Sequence, residues 1–390
     1  MRSQWNLAPV VLFIGALPAV ASPVGHIAGV QHDRGIVYSA ATGQTTKLPH
    51  ARRPMNVFLS PDSQWALYFS STRPKPSDDG DDSPFAGFVS RAPFQAATAM
   101  APPLASFPGA SSVTWLPKHI AAIEGYNLHA LYNPAKNDLL KSGRPIETAS
   151  SDGSVTAYTT DTAIYVRTSA WTPPKVIFDT KKPAALVRAL SHAHFAMDEN
   201  GFTYDAELAK DQRNWMVTSP RLTSDGKALY FCTNGGSGEG AQGNTTFFVV
   251  KADVATGKLT ALDRLGLFFG RSPSTFELSP DQRHILISSS AHASAADNSF
   301  VVTASDLNTG HMVNLLADHK DKKAYANLVK GACWSPDSRY IAVSVFYYNP
   351  DTADAAELYD KSVTHLELKE AATGKTVRTI SDFAWPNWAK

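Results

Sequence analysis

Trp334-Ser335-Pro336-Asp337-Ser338-Arg339-Tyr340, followed by the apolar run Ile341 to Phe346, is the stretch whose reading decides the fold. It is an apolar strand, a Ser-Pro-Asp turn and a second apolar strand. Proline presets φ at the second position of a tight turn, and Ser and Asp side chains bond nearby backbone N–H groups. The flanking runs are rich in Val, Ile, Tyr and Phe, as strands are. The phrase recurs at Phe58-Leu59-Ser60-Pro61-Asp62 before Trp65 to Phe69. It returns at Leu222-Thr223-Ser224-Asp225-Gly226 before Ala228 to Phe231, and at Leu278-Ser279-Pro280-Asp281 before Ile285 to Ile287. Asp225, Asp281 and Asp337 are each 56 residues apart.

About 30 residues later a second phrase closes each unit: Ala255-Thr256-Gly257, Asn308-Thr309-Gly310 and Ala372-Thr373-Gly374. Glycine there supplies the positive φ of a short hairpin turn. Each unit reads as four strands: A, the Ser-Pro-Asp turn, B, a variable loop, C, the Thr-Gly turn, D. Two degenerate units lie between the clear ones, turning at Leu116-Pro117-Lys118 and at Ser151-Asp152-Gly153. Ahead of them, Ile27 to Val30, Ile36 to Tyr38 and Ala41-Thr42-Gly43 supply B, C and the turn to D without an A strand. Phe383-Ala384-Trp385-Pro386 supplies an A strand with nothing after it. Joined, the two ends complete one unit and close a ring, which removes exposed strand edges. The expected fold is all-β, a β-propeller of seven four-stranded blades closed by pairing of the N- and C-terminal strands. Six or eight blades are the alternatives. The period of about 53 residues is on the scale of propeller repeats, and neither a β-sandwich nor a parallel β-helix accounts for split terminal units.

The Ser-Pro-Asp-(Gly/Ser) turn after an apolar-Trp strand, with Ala-Thr-Gly closing the blade, resembles the TolB-type, WD-like propeller repeat over nearly the whole mature chain. The resemblance implies the propeller fold. For function it implies only a choice among scaffolds, accessory domains of enzymes and metal-dependent lyases. The α/β domain that precedes the propeller in TolB is expected to be absent, because the propeller phrases begin about 15 residues after the cleavage site read next. The hydrolase that the prolyl oligopeptidase family joins to such a propeller has no room either.

Residues 1–21 read as a secretory signal peptide, with Arg2 at the start, the apolar stretch Leu7 to Val20, and the small-x-small site Ala19-Val20-Ala21. About 14 apolar residues, interrupted by Pro9 and Pro18, fall short of the roughly 20 that a membrane span needs. The expected organisation is a signal peptide at 1–21 and a single propeller domain at 22–390, with an inserted connection at about 179–217 and a periplasmic or secreted location. The 390 residues include 36 Lys plus Arg and 35 Asp plus Glu, and removing Arg2 makes the two signs equal. No polybasic surface exists for nucleic acid or an anionic membrane. At 43% hydrophobic residues the chain can bury a large core, which excludes global disorder. Cys232 and Cys333 fall two blades apart, beyond the Cα separation of about 7 Å that a disulfide allows. Asn244-Thr245-Thr246 is a glycosylation sequon if the host is eukaryotic.

Gly238-Glu239-Gly240-Ala241-Gln242-Gly243 matches GxGxxG, but a strand-like run follows where a dinucleotide site needs a helix, so it reads as a loop. No Gly-x-Ser-x-Gly elbow or His-Glu-x-x-His occurs, and no phosphate-cradling Gly-x-x-x-x-Gly-Lys-Ser/Thr loop. His192-Ala193-His194, followed by Asp198 and Glu199, places two imidazoles on one side of an extended segment. His192 and His194 are the candidate metal ligands, weighed against a plain polar surface segment. Apart from such a metal ion, no cofactor is expected. Asp78-Asp79-Gly80-Asp81-Asp82 lacks EF-hand spacing and reads as a solvated loop. Trp65, Trp115, Trp334 and Trp385 flank the turns and read as inter-blade core.

In a four-stranded meander the A–B and C–D turns emerge on one face, and the B–C loops and D-to-A connections on the other. The long loops, Ser71 to Pro84, Asn234 to Thr245, Ser290 to Ser299 and Tyr347 to Ser362, share the second face with the segment Asp179 to Val217. A site on a rigid scaffold explains this, and free drift of unconstrained loops is the competing explanation. Tyr347, Tyr348, Asp351, Asp354, Glu357 and Trp215 are the candidate binding residues, since aromatics beside carboxylates supply apolar area and orienting polar contacts. The expected function is a monomeric, exported, non-catalytic propeller that binds a protein or a cell-envelope polymer through this face. The alternative is a propeller enzyme, a lyase or hydrolase acting on a glycan or peptide, with or without a metal, whose site assembles from several blades.

Overall fold

The computed structural model describes residues 23–71, 85–101, 110–125, 128–142, 145–168, 172–195, 215–218, 220–234, 247–266, 275–290, 300–317, 323–326, 331–348 and 364–390. The signal peptide read at 1–21, the acidic run 78–82 and the loop 238–243 lie outside them.

The strands form seven antiparallel sheets. Blade 1 is Phe383–Ala389, His26–Gln31, Arg34–Ser39 and Thr45–Arg52. Blade 2 is Pro54–Leu59, Trp65–Ser71, Phe85–Arg91 and Ala97–Ala99. Blade 3 is Ala110–Leu116, Ile120–Gly125, Leu128–Asn133 and Asp138–Ser142, and blade 4 is Thr148–Ala149, Thr156–Thr159, Ala163–Arg167 and Lys175–Asp179. Blade 5 is Arg221–Leu222, Ala228–Asn234, Phe247–Asp253 and Leu259–Ala261, and blade 6 is Thr275–Leu278, His284–Ser290, Phe300–Asp306 and Met312–Asn314. In blade 7 the A strand comes in two pieces, Lys323–Ala326 and Ala332–Trp334, both paired with Tyr340–Tyr348; His365–Glu370 and Thr376–Ser381 follow. The seven-bladed, all-β propeller is thus present with its expected strand order.

The Ser-Pro-Asp turn is held by an interlocked set of bonds. The Ser60 hydroxyl donates to Asp62 Oδ1 at 2.7 Å and accepts the Trp65 N–H at 3.0 Å, while the same Oδ1 accepts the Gln64 N–H at 3.2 Å. The pattern repeats on Ser150 and Asp152, Thr223 and Asp225, Ser279 and Asp281, and Ser335 and Asp337. The hydroxyl and carboxylate, not the proline, define the turn, because Ser151 and Ser224 stand where the other blades have proline. The residue after Asp takes a left-handed φ, +70° at Gly153 and +68° at Gly226.

Alternate residues of a strand face opposite neighbours, so the core is divided among the blade interfaces. Among the described residues, apolar clusters occupy six of the seven interfaces. The exception lies between blades 3 and 4. The connection after blade 4 forms the helix Ala184–Leu190, whose Leu186 and Leu190 join the cluster between blades 4 and 5. The helix packs on Leu259–Ala261, the outermost strand of blade 5. Cys232 in blade 5 and Cys333 in blade 7 are buried free thiols, and burial raises the pKa of both.

Ring closure pairs His26 with Ala389 and Gln31 with Phe383, with a register shift between Ala28 and Val30. A Cβ on Gly29 would lie 2.2 Å from the Phe383 ring, so the crossing requires glycine. Trp334 is buried as expected, and Trp65 and Trp115 pack half-buried against the cluster between blades 2 and 3. The reading of Trp385 is corrected: it sits half-buried at φ +59°, and Trp388 fills the inter-blade core, its indole N–H donating to Val24 O at 2.8 Å.

Deleting Ser381 to Lys390 is expected to expose a sheet edge and cost several kcal/mol, on the order of total domain stability. Thermal melting checks this, and an unchanged Tm would refute the closure. The turns carry a second expectation. Bonds from the Ser150 hydroxyl and the Ser154 N–H and hydroxyl hold the Asp152 pKa down to about 2. A depressed folded pKa contributes stability above the unfolded value of about 4, lost as pH falls toward the folded one. The Tm gap between the parent and Asp152→Asn should therefore hold above about pH 5 and close toward about pH 2.

Candidate functional site

A channel of about 940 Å³ is lined by residues of all seven A strands. Every A strand enters from the D-to-A side and leaves at the A–B turn, so position along the strand gives depth in the channel. The two ends differ in chemistry. The A–B turn end presents Phe58, Trp334, Pro386 and Trp388 together with the charged Arg221 and Glu277, whereas the other end presents Glu124, His129, Glu147, Thr159, Thr218 and Thr275. The polar end opens on the face of the B–C loops.

Blades 3 and 4 build this polar end. In strand Ile120–Gly125, Ala121 and Ile123 face blade 2, which turns Glu124 toward blade 4. Glu124 is 7% exposed; its Oε1 accepts the Ile146 N–H at 2.8 Å, and its Oε2 contacts Nδ1 of His129. Burial raises the Glu124 pKa, the Ile146 N–H and His129 oppose that rise, and the nearby charge of Glu147 adds to it. The His129 side chain is 40% exposed, and with Nδ1 engaged its Nε2 is the nitrogen left for a ligand.

Glu147 enters from the D-to-A connection of the next blade. Its Oε1 accepts the Thr159 N–H at 2.9 Å and the Thr159 hydroxyl, and its backbone carbonyl accepts the Thr114 hydroxyl at 2.9 Å. Its Oε2 is buried and has no partner among the described residues. Ala157 faces blade 5, so the stacked pair Tyr158 and Tyr165, with centroids 5.1 Å apart, turns toward blade 3. A carboxylate that orients an imidazole is the unit of general acid–base catalysis, and a second carboxylate beside it also suits a cation.

Of the residues picked from sequence, the described Trp215, His192 and His194 lie outside the cavity lining. Trp215 is 6% exposed within the cluster between blades 4 and 5, and its indole nitrogen has no partner among the described residues. His192 occupies the turn that ends the helix Ala184–Leu190, and His194 donates its backbone N–H to Asp263 Oδ2 at 2.7 Å. Both imidazoles are exposed at the outer rim, away from the channel. Among the described residues no group of three His, Cys, Asp or Glu is placed to hold a metal. Tyr347 and Tyr348 end strand Tyr340–Tyr348, their backbones paired with Ala324 and Lys323. Asp351, Asp354 and Glu357 lie outside the described residues.

Sequence reasoning missed Glu124, His129 and Glu147. The available signal was Glu124 itself, a carboxylate ending the run Ile120-Ala121-Ala122-Ile123. Comparable positions of other B strands hold Phe69, Cys232, Ser288 and Ser344.

No family model and no curated protein matches the chain. Similar solved structures include TolB from Acinetobacter baumannii, 14% identical over 91% of this chain and 78% of that one, with a TM-score of 0.46. They also include an oligogalacturonate lyase in complex with manganese, 12% identical over 82% and 83% of the two chains, at 0.46. A prolyl endopeptidase structure is 9% identical over 93% of this chain and 50% of that one, at 0.49. The seven-bladed ring is read from the sheet topology.

Glu124→Ala removes the acceptor of the Ile146 N–H and the partner of His129, and is expected to cost about 1–3 kcal/mol in denaturant unfolding. Glu124→Gln, which keeps an acceptor, should lose clearly less.

Proposed function

We propose that the protein is an exported propeller that binds a protein partner or cell-envelope polymer on the face bearing the B–C loops. The polar channel mouth is the centre of that face, and Tyr347, Tyr348, Asp351, Asp354 and Glu357 are the residues proposed to contact the partner. The observation that supports this reading is the cluster of Glu124, His129 and Glu147 at the mouth on the B–C side, where two carboxylates and an imidazole from blades 3 and 4 line the channel. Retention from an envelope fraction tests it. Replacing Tyr347 and Tyr348 by Ala should abolish retention and leave Tm nearly unchanged. Lys136→Ala, in a C–D turn on the opposite face, should change neither. Equal retention by all three proteins would reject the assignment of the face.

A second reading, a lyase or hydrolase acting on a glycan or peptide, is favoured by one observation, the Glu124–His129 pair in an open channel. On that reading His129→Gln abolishes turnover while retention persists.

A further inference from the structure

The polar mouth has an acceptor to spare. Glu147 Oε2 is shut off from water and has no partner among the described residues. Thr275, 4% exposed, lines the same cavity, and its hydroxyl likewise has no partner among them. A carboxylate oxygen buried without a donor is costly, and the described residues supply none. This end of the cavity carries the carboxylates of Glu124 and Glu147 against the imidazole of His129, while Glu277 and Arg221 lie near the A–B turns. An anion entering there meets Glu147, whose charge already bears on Glu124.

We propose that the channel mouth receives the ammonium group of a lysine side chain from a protein partner, with Glu147 Oε2 as its principal acceptor. This rests on the reading above, in which the partner sits on this face. The narrow access to Oε2 and the carboxylates of Glu124 and Glu147 select lysine: the cation of a protein that suits a poorly exposed oxygen is a compact ammonium on a slender four-carbon stem. An amino group fixed to a sugar ring would have to bring the ring in with it. The interface between blades 3 and 4, without an apolar cluster among the described residues, is where the wall supplies polar contacts in place of packing.

Titrating the full chain with N-acetyl-lysine methylamide, its norleucine counterpart and glucosamine, followed by NMR, tests the proposal. The lysine probe should bind saturably, and both the norleucine probe and the lysine probe on Glu147→Gln should bind at least about tenfold more weakly, the loss expected for one charge-assisted bond. No saturable binding of the lysine probe, equal binding of norleucine, a preference for glucosamine, or unchanged binding by a folded Glu147→Gln would each overturn it. If that variant does not fold, the comparison of probes on the parent protein decides. Probe binding as expected, with partner retention indifferent to Tyr347 and Tyr348, would uphold the site and reject the placement of the partner. Normal retention with failed probes would do the reverse.

Discussion

A four-stranded blade has two apolar faces and two open edges, and it is not stable in water until neighbours cover it. In this chain that demand is met around a circuit, so the pairing of Phe383–Ala389 with His26–Gln31 is the contact on which the rest depends. It gives blade 1 its inner strand, which in turn covers blades 7 and 2. Ser344 Oγ donates to Phe383 O at 3.0 Å on one side, and the Leu59 N–H reaches Asn387 Oδ1 at 2.8 Å on the other. The channel is a product of the same closure, because its wall is the row of inner strands.

The fold was legible because its information is local and repeated. Each Ser/Thr–Asp turn is determined by residues within five positions of one another, so the phrase survives wherever the geometry does. Proline, the most conspicuous letter of the phrase, proved dispensable in blades 4 and 5, where the hydroxyl and carboxylate suffice. Trp385 was misread for a related reason: a register shift inside the closing strand moves the core-facing tryptophan to Trp388, and nothing in the local alternation announces a shift.

The channel mouth was illegible because its residues come from two blades and three kinds of element. Glu124 ends a B strand, His129 begins a C strand and Glu147 precedes an A strand, and no spacing rule links them. Their common property is membership of the one blade interface without an apolar cluster among the described residues. Stability alone would favour filling that interface as the other six are filled. A fold that leaves a buried carboxylate and an unfilled acceptor there keeps a polar interior where packing would serve stability better.

The strand that completes blade 1 is synthesised after every other described strand of the ring. Until it emerges, blade 1 has three strands, and the nascent chain can stack blades but cannot join the circle. Closure then brings together segments from opposite ends of the chain, a step whose loop entropy local contacts do nothing to reduce. The finished ring is therefore an event that follows synthesis of all seven blades, and any machinery that handles the chain earlier meets an open arc.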